Sequence, residues 1–352
     1  MAILNFPDAA GQPIDGSFTY EDNGVLYSWD GYKWTANSEQ AYDDKYVEVT
    51  GDTMTGDLTV PSLNGSALAG LRNQLINGDF YIAQRATSLT TGNGYKTCDR
   101  WYQESDSGNV QTKRRVGFRK FASAIELKDA TSSGDAYIAQ GIELPFTGYN
   151  GPFEVNSIWT VSFWSTVAPS GIGVAFRDSI TGVTTGDTCP VGTITAGETI
   201  DGYTHYSAQA TITTASSTRT CLRIKLAYTT PVDTNISGVQ FEPGPVATPF
   251  EHRPYGLELS LCQRYYYQTS SNFLKSMYPL TGSGNNGTTV GYLACFINTP
   301  VIMRATPSVS GLVSGANPAV HYQSPQGAQI YITEQAATTA RNVTFFSANA
   351  EL

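Results

Sequence analysis

Apolar and polar residues alternate with period two in short runs along most of the chain, and clusters of Gly, Asn, Asp, Ser and Pro separate the runs. Residues 221–228 show it most clearly: Leu222, Ile224 and Leu226 alternate with Arg223 and Lys225. That pattern predicts a strand with its aliphatic side chains in a core and its cations outside. Strand-like runs at 159–164, 173–176 and 208–213, with turn clusters between them, fit one large antiparallel β-sandwich, or jelly roll, in residues 73–256. A last β domain occupies 257–352, with strands expected at 262–267, 290–296, 330–332 and 343–346. Residues 257–262 alternate but also suit a short helix, and both readings stay open. At the other end, 18–20, 25–29 and 32–34 read as strands joined by Asn23-Gly24 and Asp30-Gly31, so 1–44 forms a small three-stranded meander. Residues 45–72 carry few large apolar side chains. They are a linker or one strand set of an intertwined multichain shaft, with a helical turn over 66–71. The fold class expected is all-β.

Composition sharpens this picture. Charged residues are 14% of the chain, against about 25% in an average soluble domain. The sequence has 34 Gly, 17 Pro and 21 Tyr. Long helices and coiled coils are thereby excluded. Disorder is excluded too, because 40% of the residues are hydrophobic. A net charge of −9 argues against nucleic-acid binding, which needs clustered cations. The one basic cluster, Lys113-Arg114-Arg115 with Arg119-Lys120, alternates with Val116, Phe118 and Phe121. It reads as a charged strand edge that blocks unwanted pairing in preference to a binding patch. The first residues lack the pattern of a secretory signal, and no apolar run is long enough for membrane insertion, so synthesis in a cytoplasm is expected. Cys98, Cys189, Cys221, Cys262 and Cys295 have no zinc-ligand spacing, and the three His are far apart. Reduced, mostly buried thiols follow, with no metal site and no cofactor.

Several clusters invite a chemical reading. Asn77-Gly78-Asp79 suits a turn. Asp99-Arg100-Trp101-Tyr102 has two readings. In the favoured one, Trp101 is buried and Asp99 and Arg100 satisfy each other at a strand end. In the other, Trp101 and Tyr102 form a platform for the apolar face of a sugar. Glu242 and Glu251 are a conceivable carboxylate pair, with inward salt bridges or exposure preferred; Phe250 is expected to close the sandwich. On a strand, Tyr265 and Tyr267 share one face, open to glycan or buried against another subunit. Residues 282–287 match G-x-G-x-x-G only nominally, since a strand-like segment follows, and they read as a hairpin loop. No catalytic residues stand out. The G-x-S-x-G elbow is absent, and 311–315 has its Ser one place late.

Several of these stretches carry a resemblance. Residues 73–80, then Gln84-Arg85 and 98–101, resemble the opening of a domain found in bacteriophage tail-fibre proteins. Residues 239–244, 247–251 and 261–266 resemble its close, and 303–309 are similar to the end region of those fibres. Residues 51–58 look like a fibre-shaft motif, and 27–34 look most like virion proteins of phages that infect marine cyanobacteria. The resemblance implies a homotrimeric virion protein on the tail or capsid exterior, with a jelly roll resembling carbohydrate-binding modules. It implies host recognition through surface glycan or lipopolysaccharide, without enzyme activity. A single shaft motif suggests a short fibre or knob. The N-terminal unit would dock to other virion proteins through Trp29, Tyr32 and Trp34, which are equally plausible as core of the meander. The alternatives are a structural connector or capsid-decoration protein and, less favoured, a polysaccharide-degrading tailspike.

Overall fold

A computed structural model describes residues 5–22, 25–36, 71–132, 134–147, 150–180, 186–269, 275–283, 289–313, 319–334 and 341–351. The shaft motif, the expected helical turn up to residue 70 and the loop residues 284–287 lie outside them. The chain divides into two compact units, Met1–Val60 and Pro61–Leu352.

In the first unit, β1 (Thr19–Asp22), β2 (Val25–Trp29) and β3 (Trp34–Ala36) form an antiparallel meander. Asp30 accepts hydrogen bonds from the amides of Tyr32 and Lys33, both at 2.9 Å, and Gly31 takes φ +95°, which closes the β2–β3 turn. Trp34 is the hub of an aromatic cluster. Phe6 stacks flat on it at 5.2 Å, and Phe18, Tyr20 and Trp29 pack around it. So small a sheet has little else to bury, and this cluster is its core.

The second unit begins with the sandwich. Its strands are β4 (Thr90–Thr91), β5 (Gly94–Tyr95), β6 (Tyr102–Ser105), β7 (Gln111–Phe118), β8 (Phe121–Asp129), β9 (Asp135–Glu143), β10 (Ile158–Ser165), β11 (Gly171–Arg177), β12 (Asp187–Cys189), β13 (Thr195–Ile200), β14 (Tyr203–Thr211), β15 (Cys221–Thr229) and β16 (Val232–Pro243). One sheet runs β13-β14-β10-β16-β8-β7-β4 and the other β12-β11-β15-β9-β6-β5, and every pairing is antiparallel. The core between them takes Trp159, Val161 and Phe163 from β10, Val174 and Phe176 from β11, and Leu222, Ile224 and Leu226 from β15. Each such side chain contributes about 1.5–3 kcal/mol by leaving water. The aliphatic side of β15 fills the core as predicted, but its cations are not both outside: Lys225 is half-buried, and Arg223 is buried on the opposite face, where it donates to the Ile180 carbonyl at 3.2 Å. The five cysteines are free and buried, as the sequence suggests.

After the sandwich come α1 (Tyr255–Gln263), β17 (Tyr266–Gln268), β18 (Lys275–Ser283), β19 (Thr289–Asn298), β20 (Ser308–Val313), β21 (Ala319–Ser324), β22 (Gly327–Glu334) and β23 (Arg341–Asn349). The strands form one sheet in the order β17-β23-β18-β19-β22-β21, with β20 also paired to β23. The open reading of 257–262 resolves as helix. This corrects the strand expected at 262–267: Cys262 and Gln263 end α1, Tyr265 lies in a turn, and only Tyr266 and Tyr267 enter β17. Tyr265 and Tyr267 therefore do not share a strand face. Pro254 opens the helix and supplies its first acceptor carbonyl, to Leu257 and Glu258.

Several of the stretches that carry the resemblance, among them 73–80, 98–101, 239–251 and 261–266, join the parts of this unit. Asn73 donates to the Val239 carbonyl and accepts from the Phe241 amide, both at 3.1 Å, which lays the entering segment along β16. Asn77 adopts φ +59° and ties Ile82 and Asp99 together through its side chain. Gly78 sits so close to β16 that a Cβ there would fall 2.1 Å from the Val239 carbonyl oxygen. Asp99 and Arg100 do not satisfy each other, contrary to the favoured sequence reading. Asp99 faces Arg85, whereas Arg100 pairs with Glu351, at the far end of the chain. The guanidinium groups of Arg100 and Arg85 lie 3.5 and 3.6 Å from the ring centroids of Tyr265 and Tyr266. Glu143 completes the seam by accepting from Arg264 and Tyr265.

This seam titrates. Burial pushes the Asp99 carboxyl up to about 6, against the opposing pull of Arg85 and Gln84. Between the ordinary value of 3.8 and about 6, the folded chain holds a proton that the unfolded chain releases. Stability is therefore expected to fall as pH rises through that window and to level off above it. A gap of about two units corresponds to about 3 kcal/mol. Asp79 and Glu258, also raised by burial, slope the same way. Asp187 and Asp129 oppose them. Arg219 lowers Asp187 to about 2; Asp129 reaches about 2 because hydrogen bonds from Thr131, Ser105 and Ser107 outweigh its burial. The stability those two confer is lost only as pH falls from about 4 toward 2. Urea midpoints at pH 4 and 6.5 should differ less in Asp99→Asn than in the parent chain. Equal differences in the two would place the titration elsewhere.

Candidate functional site

The inner faces of the sandwich sheets are filled, so any site on it lies on an outer face. On β10, outward parity falls on Thr160, Ser162 and Trp164. Trp164 stands opposite His205 of β14 and clusters with Phe121, Ala124 and Tyr203. A β-bulge shapes this floor. Ser162 pairs with Gln240 and Trp164 with Ser237, so β16 spends an extra residue between them. Gly238 occupies the bulge at φ +61°, and the Phe121 ring lies where its Cβ would be.

After β16 the chain turns back over the same face. Thr248, Phe250 and Glu251 are held by polar contacts, not by a ladder. Buried Glu242 accepts from Arg72, Gln240 and the amide of Thr248 at 3.2, 2.8 and 2.7 Å. Glu251 accepts from the amides of Leu71 and Asn73. Both carboxylates are thus committed to backbone and ion-pair contacts, in line with the preferred reading of this pair. Phe250 packs on Phe121 and His252. It covers the outer face of the sheet and does not close the sandwich interior, which corrects the sequence expectation.

Between the returning segment and the sheet opens a groove of about 950 Å³. Phe121, Trp164, Phe250 and Leu257 give it apolar walls, and Lys120, Glu198, His205 and His252 give it a polar rim. The Lys120 ammonium lies over the Trp164 ring, 4.2 Å from its centroid, and pairs with Glu198. That ion pair is exposed and screened by water, so a ligand can displace it cheaply. Burial, then Lys120, lowers the His205 pKa, so the groove presents a neutral imidazole at pH 7. Trp164 and Phe121 are each 5% exposed and underlie the groove, so half-buried Phe250 and exposed Leu257 are the apolar surface a ligand meets beside the amine and imidazole groups. Such a surface suits a polyol with one C–H face. Among the described residues, no group of His, Cys, Asp and Glu is arranged to hold a metal ion.

No protein-family profile and no curated protein matches the chain. Solved structures do align with part of it. The enzymatically active domain of bacteriophage CBA120 tailspike protein 4 aligns over 49% of this chain and 22% of its own length, at 14% identity and a TM-score of 0.27. The CBM22-1 xylan-binding domain from Paenibacillus barcinonensis Xyn10C aligns over 47% of this chain and 99% of its own, at 12% identity and a TM-score of 0.27. TmCBM61, solved with β-1,4-galactotriose, aligns over 49% and 99%, at 14% identity and a TM-score of 0.26. What the groove can do follows from this chain's own residues.

The residues singled out in the sequence lie elsewhere. Trp101 is 2% exposed, packs on Phe80 and donates its indole N–H to the Asn77 carbonyl at 2.8 Å. Tyr102 is buried with Tyr95, Ala139 and Ile180 on the outer face of the other sheet. Tyr265 is buried under Arg100, and half-buried Tyr267 packs on Phe346. Neither Trp101 nor Tyr265 has a ring face open to a sugar. Of the docking candidates, Trp29 and Trp34 belong to the meander core, and Tyr32 is 92% exposed. Sequence reasoning missed Lys120, Trp164, His205 and His252 as a set. The available signal was Trp164, a large aromatic at the outward position of a strand whose inward positions were already apolar. The distance in sequence between His205 and His252 hid their meeting at one groove.

Proposed function

We propose that the chain is a non-catalytic, glycan-binding fibre or knob protein of a phage virion, and that the groove beneath residues 247–254 is its saccharide site. The observation that carries this reading is the groove with apolar walls and a polar rim on an outer sheet face, in a chain with segments that resemble tail-fibre motifs. The carboxylates that might have served hydrolysis, Glu242 and Glu251, are consumed by structural hydrogen bonds. Assembly as a homotrimer would add avidity to weak single sites. Of the three docking candidates, exposed Tyr32 is the one available to meet another virion protein.

Binding of the purified chain to an array of bacterial surface oligosaccharides tests the site. Lys120→Ala and His252→Ala alter exposed side chains, and each is expected to weaken binding about tenfold without unfolding the chain. No binding by the parent, or full binding by both variants, would remove the groove from consideration. Immunogold labelling of virions with an antibody to residues 257–352 separates a tail position from the capsid-decoration alternative.

A further inference from the structure

The basic cluster of the sequence lines a second depression on the same sheet face. β4 pairs only with Gln111 and Thr112, so beyond Thr112 the outer rim of β7 has no strand neighbour among the described residues. A hollow of about 400 Å³ opens there, lined by Lys113, Arg114, Arg115, Val116, Tyr203 and Asn235. The register places Lys113 opposite Glu126, and Glu126 opposite Asn235. Arg115 stands opposite Ala124, which belongs to the outer aromatic cluster. Between this hollow and Trp164 stands the Phe118–Tyr203 stack, with ring centroids 4.2 Å apart and planes 13° from parallel.

The polar groups of the hollow are incompletely matched. Arg115 pairs with Glu126, and Arg114 donates to the Tyr81 carbonyl at 2.8 Å. Lys113 has no ion-pair partner among the described residues. The Oδ1 atom of Asn235 is buried and accepts no hydrogen bond. A local excess of cations in a chain of net charge −9 also draws anions to this spot against the overall field. An ammonium without an ion-pair partner, a guanidinium shared with Glu126 and the neighbouring Phe118–Tyr203 stack are what the hollow offers an acid-bearing ligand.

The geometry points to an anion subsite: the hollow holds the carboxylate, phosphate or sulfate of an acidic saccharide whose neighbouring sugar lies in the aromatic groove. This rests on the glycan reading of that groove. It replaces the solvated-edge reading of Lys113-Arg114-Arg115 with a specificity role. The three acid groups share the chemistry that matters here, a compact anion bound by charge-assisted hydrogen bonds.

The test applies the full chain, the Lys113→Gln/Arg115→Gln variant and the His252→Ala variant to an array of matched neutral and uronate-, phosphate- or sulfate-bearing oligosaccharides. Acidic members are expected to bind about tenfold more tightly than neutral ones of the same backbone. That preference should shrink between about 50 and about 500 mM salt. It should vanish in the double Gln variant, which keeps its neutral-glycan binding, whereas His252→Ala weakens both classes. Binding without an acid preference, or a preference that survives the double variant, overturns the subsite and leaves the glycan reading standing. If no oligosaccharide binds, the glycan reading fails, and calorimetric titration with inorganic phosphate decides the anion site alone. Saturable heat lost in the double variant supports it, and absence of heat overturns it.

Discussion

Replacing Arg100 by Met is expected to destabilise the chain by about 3 kcal/mol, the lower end of what breaking a buried ion pair costs. Arg100 is 1% exposed. One of its nitrogens pairs with Glu351, another donates to the Gly141 carbonyl at 2.6 Å, and the guanidinium caps the Tyr265 ring. Met fills similar volume but leaves the Gly141 carbonyl without this donor and Glu351 with Arg85, 3.2 Å away, as its remaining cation. Arg100 also holds a left-handed backbone, φ +72°. Met retains that cost, so the loss reports the side chain. Adding Glu351→Gln should restore part of the stability, because it removes the poorly matched charge. Urea midpoints of the single and double variants measure both effects. A single variant within about 0.5 kcal/mol of the parent would mean that this seam does not hold the C-terminal sheet to the sandwich.

Gly238→Ala is expected to cost about 2–4 kcal/mol and to abolish saccharide binding at the groove. Two independent penalties combine. The residue must keep a positive φ, and its new methyl would lie 2.3 Å from the Phe121 ring. Phe121 cannot retreat freely, because Phe118, Phe250 and His252 surround it. Either the bulge flattens or Phe121 moves into the groove, and both erase the floor around Trp164. The melting temperature should drop by about 5–10 °C. A normal melting temperature with intact binding would show that Phe121 has room to swing aside.

Much of the fold was legible because its signals are local. Alternation in β15 named Leu222, Ile224 and Leu226 as inward, and those residues are in the core. Turn chemistry at Asp30-Gly31 located a hairpin that the side chain of Asp30 closes. Where two local signals compete, pattern alone fails. Residues 257–262 alternate like a strand, yet Pro254 starts a helix there, and Cys262 and Glu258 bury against the sandwich. The triple Tyr run then breaks across a helix end, which no period-two count reveals.

The aromatic and charged residues of the joints were legible as important but not in role. Arg100 beside Asp99 in sequence suggests a pair, whereas burial in a low-dielectric seam selects whichever opposite charge the fold brings into contact. For Arg100 that charge is Glu351, close to the chain's end. The sequence by itself determined that this is an all-β chain with a sandwich core, turn-rich connections and buried thiols, because period and turn preference act within a few residues. Only the tertiary structure decided which polar residues lock the seam and which surround the groove. Those partners meet through strand crossovers and a returning segment, over separations that no local pattern encodes.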